Sequence, residues 1–237
     1  TNFPSSGRTS VIFKSPTTGS FFKTNVGGHF GAGLKWAGYD LIIVTGKSEH
    51  PCYILLSNDE IEIKDATSLW GMDNRTLSET LREQFRDDSM EIMSIGPAGE
   101  NKVLFSSIHT SIYNAAARGG GGALMGDKKL KCIAVRGKHF VQYFDHERFQ
   151  KAKDRISQKM DEVPGVVPLT TYGTSVGVQS TNAIGAFPVR NFQENRIDNC
   201  DQLTGQNLVE SGLLKNRIGC FSCSVSCHRY TTIDEGK

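Results

Sequence analysis

The spacing of apolar residues changes once along the chain, and this change most constrains the fold. Before about residue 138 the apolar runs have strand length: Tyr53–Leu56 and Ile61–Lys64 flank a turn-forming segment, which predicts a β-hairpin. After about residue 145 the spacing is helical, with an apolar stripe at Phe149, Ala152, Ile156 and Met160. We predict an α+β fold with a β-sheet-rich domain over 1–140 and a helix-and-loop extension over 141–237.

Other elements follow from local patterns. Further apolar runs predict strands at Thr9–Phe13, Leu41–Val44, Glu91–Ile95, Val103–Ile108 and Cys132–Arg136. A leucine and phenylalanine repeat predicts a helix over Thr76–Phe85, and Thr76 with Glu79 forms a capping-box pattern at its start. A second helix is predicted from its cap, Asp145, to about Glu162. The chain between that helix and the last cysteines is predicted to be rich in loops.

Three of the six cysteines lie close together near the end of the sequence, at Cys220, Cys223 and Cys227. Their C-x2-C-x3-C spacing is the reverse of the one typical of radical enzymes that use S-adenosylmethionine. Thiolates are the ligands of iron–sulfur clusters, and a [4Fe–4S] cluster takes four, so a fourth ligand must come from elsewhere. Zinc bound by the same cysteines with His228 is an alternative, although zinc ligands usually come as two separated pairs. The third possibility is that these cysteines are unrelated thiols that bind no metal.

Composition excludes several classes of protein. The formal net charge of +2 argues against a nucleic-acid or membrane-surface partner, and no apolar run reaches the length of a membrane span. The sequence shows no export signal, and clustered cysteines without a disulfide scaffold fit a reducing compartment, so we expect a cytoplasmic protein. Because the chain starts at Thr1 and stops just after the cysteines, we expect it to be part of a longer protein.

Two glycine-rich segments, 25–33 and 115–126, are candidates for ligand binding. Glycine lets the backbone approach a ligand closely, and exposed backbone N–H groups bind phosphate. Neither segment matches a dinucleotide fingerprint, which requires a strand-to-helix turn and an acidic residue about twenty positions on. Tight turns are the alternative explanation. Having two such segments, with Arg8 and Arg118 nearby, favours a phosphate-bearing ligand.

The order and the residues of these motifs resemble those of the tungsten-containing aldehyde:ferredoxin oxidoreductase family over essentially the whole chain. The segments that carry the resemblance are 7–8, 14–19, 25–32, 35–40, 95–101, 118–126, 188–192 and the three-cysteine motif. The resemblance implies that the β domain is a two-sheet base on which two pterin cofactors sit, with their dithiolenes holding a tungsten or molybdenum ion. It also implies a [4Fe–4S] cluster beside one pterin, which passes electrons to ferredoxin.

The resemblance also implies roles for particular residues. Arg8 corresponds to the arginine that bridges a pterin and the cluster, a role that suits a guanidinium fork. The backbone oxygens of Asn25 and Ala115 correspond to those that face the Mg²⁺ ion joining the two pterin phosphates. Gly27 and Ala117 correspond to backbone contacts with the pterins. The three clustered cysteines correspond to cluster ligands, and no catalytic residue is expected within this part of the protein.

Two positions depart from the family pattern. Asn114 stands where the family commonly has an arginine that contacts the cofactor, and Ala117 stands where glycine is usual. Loss of one charged hydrogen bond removes about 1.5–3 kcal/mol of interaction with a polyanionic cofactor.

The implied activity is oxidation of a small aldehyde to a carboxylic acid in a homo-oligomer. Alternatives are a family member acting on another low-potential carbonyl or thioester, a non-catalytic electron-transfer subunit, and a zinc-stabilised binding module.

Overall fold

The structure, a computed structural model, describes residues 1–58 and 60–233. Its contacts divide the chain into two compact units. The first unit contains Thr1–Asn2 and Ser6–Phe144, and the second contains Phe3–Ser5 and the chain from Asp145 onward. No helix in the described ranges has both the length and the apolar character needed to cross a membrane.

The first unit contains two sheets. Strands β1 (Thr9–Lys14) and β2 (Phe21–Val26) form an antiparallel pair. A six-stranded mixed sheet has the order β4-β3-β8-β5-β6-β7. Its strands are β3 (Cys52–Ser57), β4 (Glu60–Asp65), β5 (Glu91–Ser94), β6 (Ile108–His109), β7 (Ala115–Ala116) and β8 (Leu130–Arg136). Strand β3 pairs parallel to β8 and antiparallel to β4, which confirms the predicted hairpin.

Helices cover both faces of the larger sheet. The first unit contains α1 (Phe30–Trp36), α2 (Asn74–Phe85), α3 (Pro97–Glu100), α4 (Gly121–Asp127) and a 3-10 turn at Thr67–Leu69. Alternate residues of β8 point to opposite faces, so Ile133 joins a core with α1 and α4 whereas Ala134 joins a core with α2. A strand buried on both faces needs a nearly continuous apolar sequence, as β8 has.

The second unit is mainly helical. It contains α5 (His146–Glu162), α6 (Val166–Tyr172), α7 (Val178–Ala183), α8 (Gly205–Glu210), β9 (Leu214–Ile218), β10 (His228–Thr231) and 3-10 turns at Thr174–Gly177 and Cys200–Leu203. The Asp145 carboxylate accepts the Arg148 N–H at 2.9 Å, which confirms the predicted helix cap. The predicted stripe on α5 is half-buried. The prediction of a loop-rich stretch after α5 is wrong, because short helices occupy much of it. Together, the mixed sheet of the first unit and the helices of the second confirm the α+β fold class.

The predicted strand at Leu41–Val44 is wrong. The segment has no regular secondary structure, and the side chains of Leu41 and Ile43 are 70% and 76% exposed. A β-prone sequence becomes a strand only when a neighbouring edge supplies hydrogen bonds. No strand among the residues that the structure describes pairs with this segment.

Two other local predictions need correction. Only the end of Val103–Ile108 is a strand, because the Val103 N–H bonds to Ala98 and the Ser106 N–H bonds back to Val103, both at 2.9 Å, in consecutive turns. Helix α2 is capped by Asp73 and not by Thr76. The Asp73 carboxylate accepts the backbone N–H groups of Arg75 and Thr76, and the Thr76 hydroxyl donates to it as well.

Candidate functional site

Both glycine-rich segments connect a strand to a helix. The first runs from the end of β2 into α1, and the second runs from the end of β7 into α4. Both segments thus lie at strand-to-helix turns, which is one of the two features that a dinucleotide fingerprint requires. These strand-to-helix turns could not be predicted from the sequence, because β7 has only two residues and α1 and α4 have seven each. Elements this short show no clear periodicity.

The two glycine segments meet although they are far apart in sequence. The Thr110 hydroxyl donates to the Gly27 carbonyl at 2.9 Å, and the Thr110 N–H donates to the Asn114 carbonyl at 3.0 Å. Gly28 has a φ of +88°, and a Cβ added there would lie 2.9 Å from the Thr110 hydroxyl oxygen and 3.5 Å from the Asn114 Oδ1. Thr110, which the sequence analysis did not single out, thus joins the two segments.

The turn between β1 and β2 also contacts the second glycine segment. The Ser15 hydroxyl donates to the Gly119 carbonyl at 2.8 Å and accepts the N–H groups of Thr17 and Thr18 at 3.1 Å. Gly119 has a φ of +81°, and an added Cβ would lie 2.4 Å from the Phe22 ring. Gly28 and Gly119 are therefore required by packing within the protein, whatever binds to its surface.

The residues predicted to contact the cofactor differ in exposure. Arg8, Asn25 and Ala117 are exposed, Asn114 and Ala115 are half-buried, and Gly27 is buried. The Asn25 side chain accepts the Ser10 hydroxyl at 2.8 Å, and the Asn114 Oδ1 accepts the Ser111 hydroxyl at 2.9 Å.

Arg8, next to β1, and Arg118, within the second glycine segment, are both exposed. Within residues 1–58 and 60–233, neither Arg8 nor Arg118 forms an ion pair with a carboxylate. Two unpaired guanidinium groups next to close-packed backbone fit a polyanionic cofactor. Their roles in binding stay predictions.

Two histidines flank the meeting point of the glycine segments. His29 follows Gly28, and His109 lies directly opposite Ala115 in the β6–β7 pair. Burial lowers the pKa of both imidazoles below the ordinary value of 6.5, partly opposed at His109 by a hydrogen bond with the Ser111 backbone. Both rings are therefore neutral at pH 7, and a ring nitrogen of His109 lies 2.9 Å from the Ser107 hydroxyl. The position of His109 opposite Ala115 could not be predicted from the sequence, because it depends on strand pairing.

A groove of about 1020 Å³ runs along β1, with the extended segment 39–44 as its other wall and parts of α1 and α4 lining it. Its lining is mostly apolar. Of the predicted cofactor residues only Arg8 lines it. Gly31 of the first glycine segment and Gly121 of the second also line this groove, whereas the other predicted cofactor residues lie outside it.

The three clustered cysteines lie on the loop that connects β9 to β10 in the second unit. All three are free thiols and half-buried, and the Cys223 N–H donates to the Cys220 carbonyl at 3.1 Å in a tight turn. Across the described part of the chain, no group of three or more His, Cys, Asp or Glu side chains is arranged to hold a metal ion. Because each thiolate of a [4Fe–4S] cluster binds a different iron, three cysteines on one loop have the right chemistry for a cluster without forming a single-ion site.

The other candidate ligands differ from these three cysteines. Cys132 is fully buried in β8, and burial raises the pKa of its thiol to about 12, which makes it an inert core residue. Cys52 and Cys200 are half-buried free thiols. His228 is half-buried at the start of β10, with its Nδ1 3.3 Å from the Ile218 carbonyl oxygen.

Comparison with known proteins assigns the chain to a family. Residues 1–137 match the family model "aldehyde ferredoxin oxidoreductase, N-terminal domain", and residues 151–237 match "aldehyde ferredoxin oxidoreductase, domains 2 & 3". The chain belongs to the aldehyde ferredoxin oxidoreductase family. This confirms the resemblance that the sequence motifs carried.

Relatives within this family match nearly the whole chain. The "tungsten-containing aldehyde ferredoxin oxidoreductase" of Pyrococcus abyssi is 41% identical over 231 residues, which cover 97% of this chain and 38% of the relative. An "aliphatic sulfonate oxidoreductase, WOR-like subunit" of Pyrococcus furiosus is 31% identical over 97% of this chain. The chain thus spans 38% of the length of these relatives.

A solved structure shares the fold. The active site complex BamBC of benzoyl coenzyme A reductase, in complex with 1,5-dienoyl-CoA, aligns with 99% of this chain and 38% of its own chain. The TM-score is 0.82 and the sequence identity is 26%. Both units of this chain therefore have counterparts in the family fold.

Proposed function

We propose that this chain is the cofactor-base part of a bis-pterin oxidoreductase that oxidises small aldehydes to carboxylic acids. One observation carries the proposal: two distant glycine segments meet through the Thr110–Gly27 hydrogen bond, beside Asn114 and Ala115. An electron-transfer subunit that only carries a cluster has no need of such a surface. The name of the Pyrococcus abyssi relative supports tungsten as the metal, with molybdenum as the alternative.

The chain's own residues would bind and orient the cofactor. Arg8 would donate to a pterin and to the cluster, since a planar fork can donate to two acceptors at once. The backbone oxygens of Asn25 and Ala115 would face a Mg²⁺ ion between the pterin phosphates, because carbonyl oxygen is a ligand that Mg²⁺ accepts. Gly27 and Ala117 would lie against the pterins. When bound, the metal centre would supply two-electron redox chemistry, by which an aldehyde and water yield a carboxylic acid, two protons and two electrons.

The cysteine loop would hold the electron-transfer centre. Cys220, Cys223 and Cys227 would ligate three irons of a [4Fe–4S] cluster, with the fourth thiolate from elsewhere in the full protein. We propose ferredoxin as the electron acceptor and a cytoplasmic homo-oligomer as the working form.

Metal analysis of the full-length protein, purified without oxygen, tests this function. We expect tungsten or molybdenum, about four irons per chain in this cluster, and aldehyde-dependent reduction of ferredoxin. Ala117→Glu places a negative charge on an exposed residue against a polyanion, so we expect the metal and pterin to be lost at an unchanged melting temperature. Ala98→Glu, at an exposed alanine of α3, is the matched control and should retain both. Stoichiometric zinc without iron, or full cofactor content in Ala117→Glu, would refute the proposal.

A second candidate is a member of the same family with a different substrate. Asn114, in place of the usual arginine, is the observation that favours it. The sulfonate-oxidising relative and the structural likeness to a complex that acts on coenzyme A thioesters show that such proteins share this fold. Turnover assays that compare aldehydes, sulfonates and thioesters on the metal-loaded enzyme separate the two candidates.

A further inference from the structure

The cysteine loop is closed at its base by a short antiparallel ribbon. Strands β9 and β10 flank the loop, and their first pair, Ile218 opposite His228, lies directly beside it. The next pair places Arg217 opposite Arg229. Two arginines facing each other across a ladder repel, and such like-charge pairs destabilise a sheet.

Arg229 holds the cysteine loop against helix α6. Its guanidinium donates to the carbonyls of Ser226 at 2.6 Å and His228 at 3.0 Å, on either side of Cys227. The other end of the fork donates to the carbonyls of Leu169 at 3.2 Å and Thr170 at 2.6 Å in α6. Four carbonyl contacts from one side chain fix the Cys227 end of the loop.

The backbone around this contact leaves no spare room. Gly173, which follows α6, has a φ of +74°. A Cβ added there would lie 2.9 Å from the Arg229 Cγ and 3.0 Å from the Cys227 carbonyl oxygen. The absence of a side chain at Gly173 thus allows Arg229 and the Cys227 carbonyl to approach closely.

The charge of Arg229 has no counterpart in the described residues. Neither Arg229 nor Arg217 pairs with a carboxylate in the described ranges, and the buried Nε–H of Arg229 has no hydrogen-bond partner there. Arg229 is thus a half-buried cation beside Cys227, and the thiolates around a metal cluster would supply the negative charge that offsets it.

We propose that Arg229 is the positioning residue of the iron–sulfur centre: it anchors the Cys227 end of the loop and offsets the negative charge of the bound cluster. This inference rests on the proposed function, since it requires a cluster on Cys220, Cys223 and Cys227. Hydrogen bonds and charges near the sulfurs are what set the reduction potential of such clusters.

Three variants of the full-length, anaerobically purified protein test this role. In Arg229→Met, which loses both the contacts and the charge, we expect iron loss to a chelator to be at least tenfold faster. Loss of the positive charge should also lower the reduction potential of the cluster. At a fixed potential we expect the ratio of reduced to oxidised cluster to fall about tenfold, which corresponds to a shift of 59 mV for one electron. Arg229→Lys keeps the charge but not the fork, so its potential should stay near wild type while its iron is lost faster. Arg217→Met removes an equal charge from the opposite strand and should leave the rate of iron loss unchanged.

The outcomes separate this inference from the proposed function. Wild-type protein without iron would refute the proposed function and this inference together. Wild-type protein with a cluster, but with Arg229→Met and Arg229→Lys both losing iron at the wild-type rate, would refute only the role of Arg229. Equal effects of Arg217→Met and Arg229→Met on iron loss and potential would also refute it, because the effect would then be one of net charge. Tungsten content, measured on the same samples, shows that each variant is folded.

Discussion

A buried ion pair between Lys131 and Glu100 ties the central strand β8 to helix α3. The Lys131 side chain is 0% exposed and that of Glu100 is 4% exposed. The Lys131 ammonium donates to the Glu100 carboxylate and, at 2.7 Å, to the Met72 carbonyl. The carboxylate also accepts the Gly71 N–H at 2.8 and 3.0 Å.

The position of Lys131 in a buried strand has a structural cause. The register between β3 and β8 shifts at this point, because Cys52 pairs with Leu130 whereas Tyr53 pairs with Cys132. Lys131 is the extra residue of this bulge, and a bulge redirects a side chain out of the regular alternation. The side chain thus reaches α3 without placing its charge in either apolar core.

Removing one partner of this pair should destabilise the protein strongly. Breaking a buried ion pair costs about 3–5 kcal/mol, because the other charge stays buried. We expect Lys131→Met at the lower end of this range, since Glu100 keeps the Gly71 N–H, and Glu100→Gln at the upper end. The double variant should be more stable than either single variant, because it leaves no buried charge.

Urea unfolding at pH 7, followed by tryptophan fluorescence, measures these effects. Both tryptophans, Trp36 and Trp70, lie in the first unit, and Trp70 is next to Gly71. The control is Lys64→Met, which removes a more exposed ion pair with Glu62 and should cost at most about 1 kcal/mol. If Lys131→Met and Glu100→Gln each cost no more than this control, the pair does not hold α3 to the sheet.

Two further predictions concern Glu91 and Arg8. Burial, opposed only by Arg82, raises the pKa of Glu91 from its ordinary value of 4.5 to about 7. The folded protein therefore keeps a proton that the unfolded chain releases, so stability should fall as the pH rises from about 4.5 to 7 and level off above it. Glu91→Gln should flatten this pH dependence, and its urea midpoint at pH 8 should be higher than that of the wild type. If the urea midpoints of the variant and the wild type change with pH in parallel, Glu91 is not the residue responsible. Arg8→Lys should lower tungsten content and ferredoxin-linked turnover at an unchanged melting temperature, since Arg8 is exposed and an ammonium lacks the planar fork. Full metal content with full turnover would rule out the bridging role.

Elements defined by local patterns were predictable from the sequence. The β3–β4 hairpin and helices α2 and α5 each depend on residues within a few positions, such as Asp145 at the cap of α5. The error at the start of α2 has the same local origin. Asp73 and Thr76 are both good capping residues, and the stronger acceptor lies one turn earlier.

Features that depend on distant partners were not predictable. Leu41–Val44 has the composition of a strand, yet only the tertiary arrangement decides whether an edge is available to it. Lys131 looks like an exposed residue of a strand, and nothing near it in sequence indicates the bulge or Glu100. The meeting of the glycine segments depends on Thr110, which lies 83 positions from Gly27.

The structure also changes which residues can test for a cofactor. Gly27, which corresponds to a backbone contact with a pterin, is buried, and its carbonyl accepts the Thr110 hydroxyl. Loss of cofactor in Gly27→Val would therefore follow equally from a disturbed fold. The packing role of Gly28 and Gly119 does not compete with cofactor binding, because close packing is what brings Asn114 and Ala115 beside Gly27. Cofactor binding is then best tested at exposed residues outside the core, namely Ala117 and Arg8. There a loss of cofactor can be measured separately from a change in the stability of the fold.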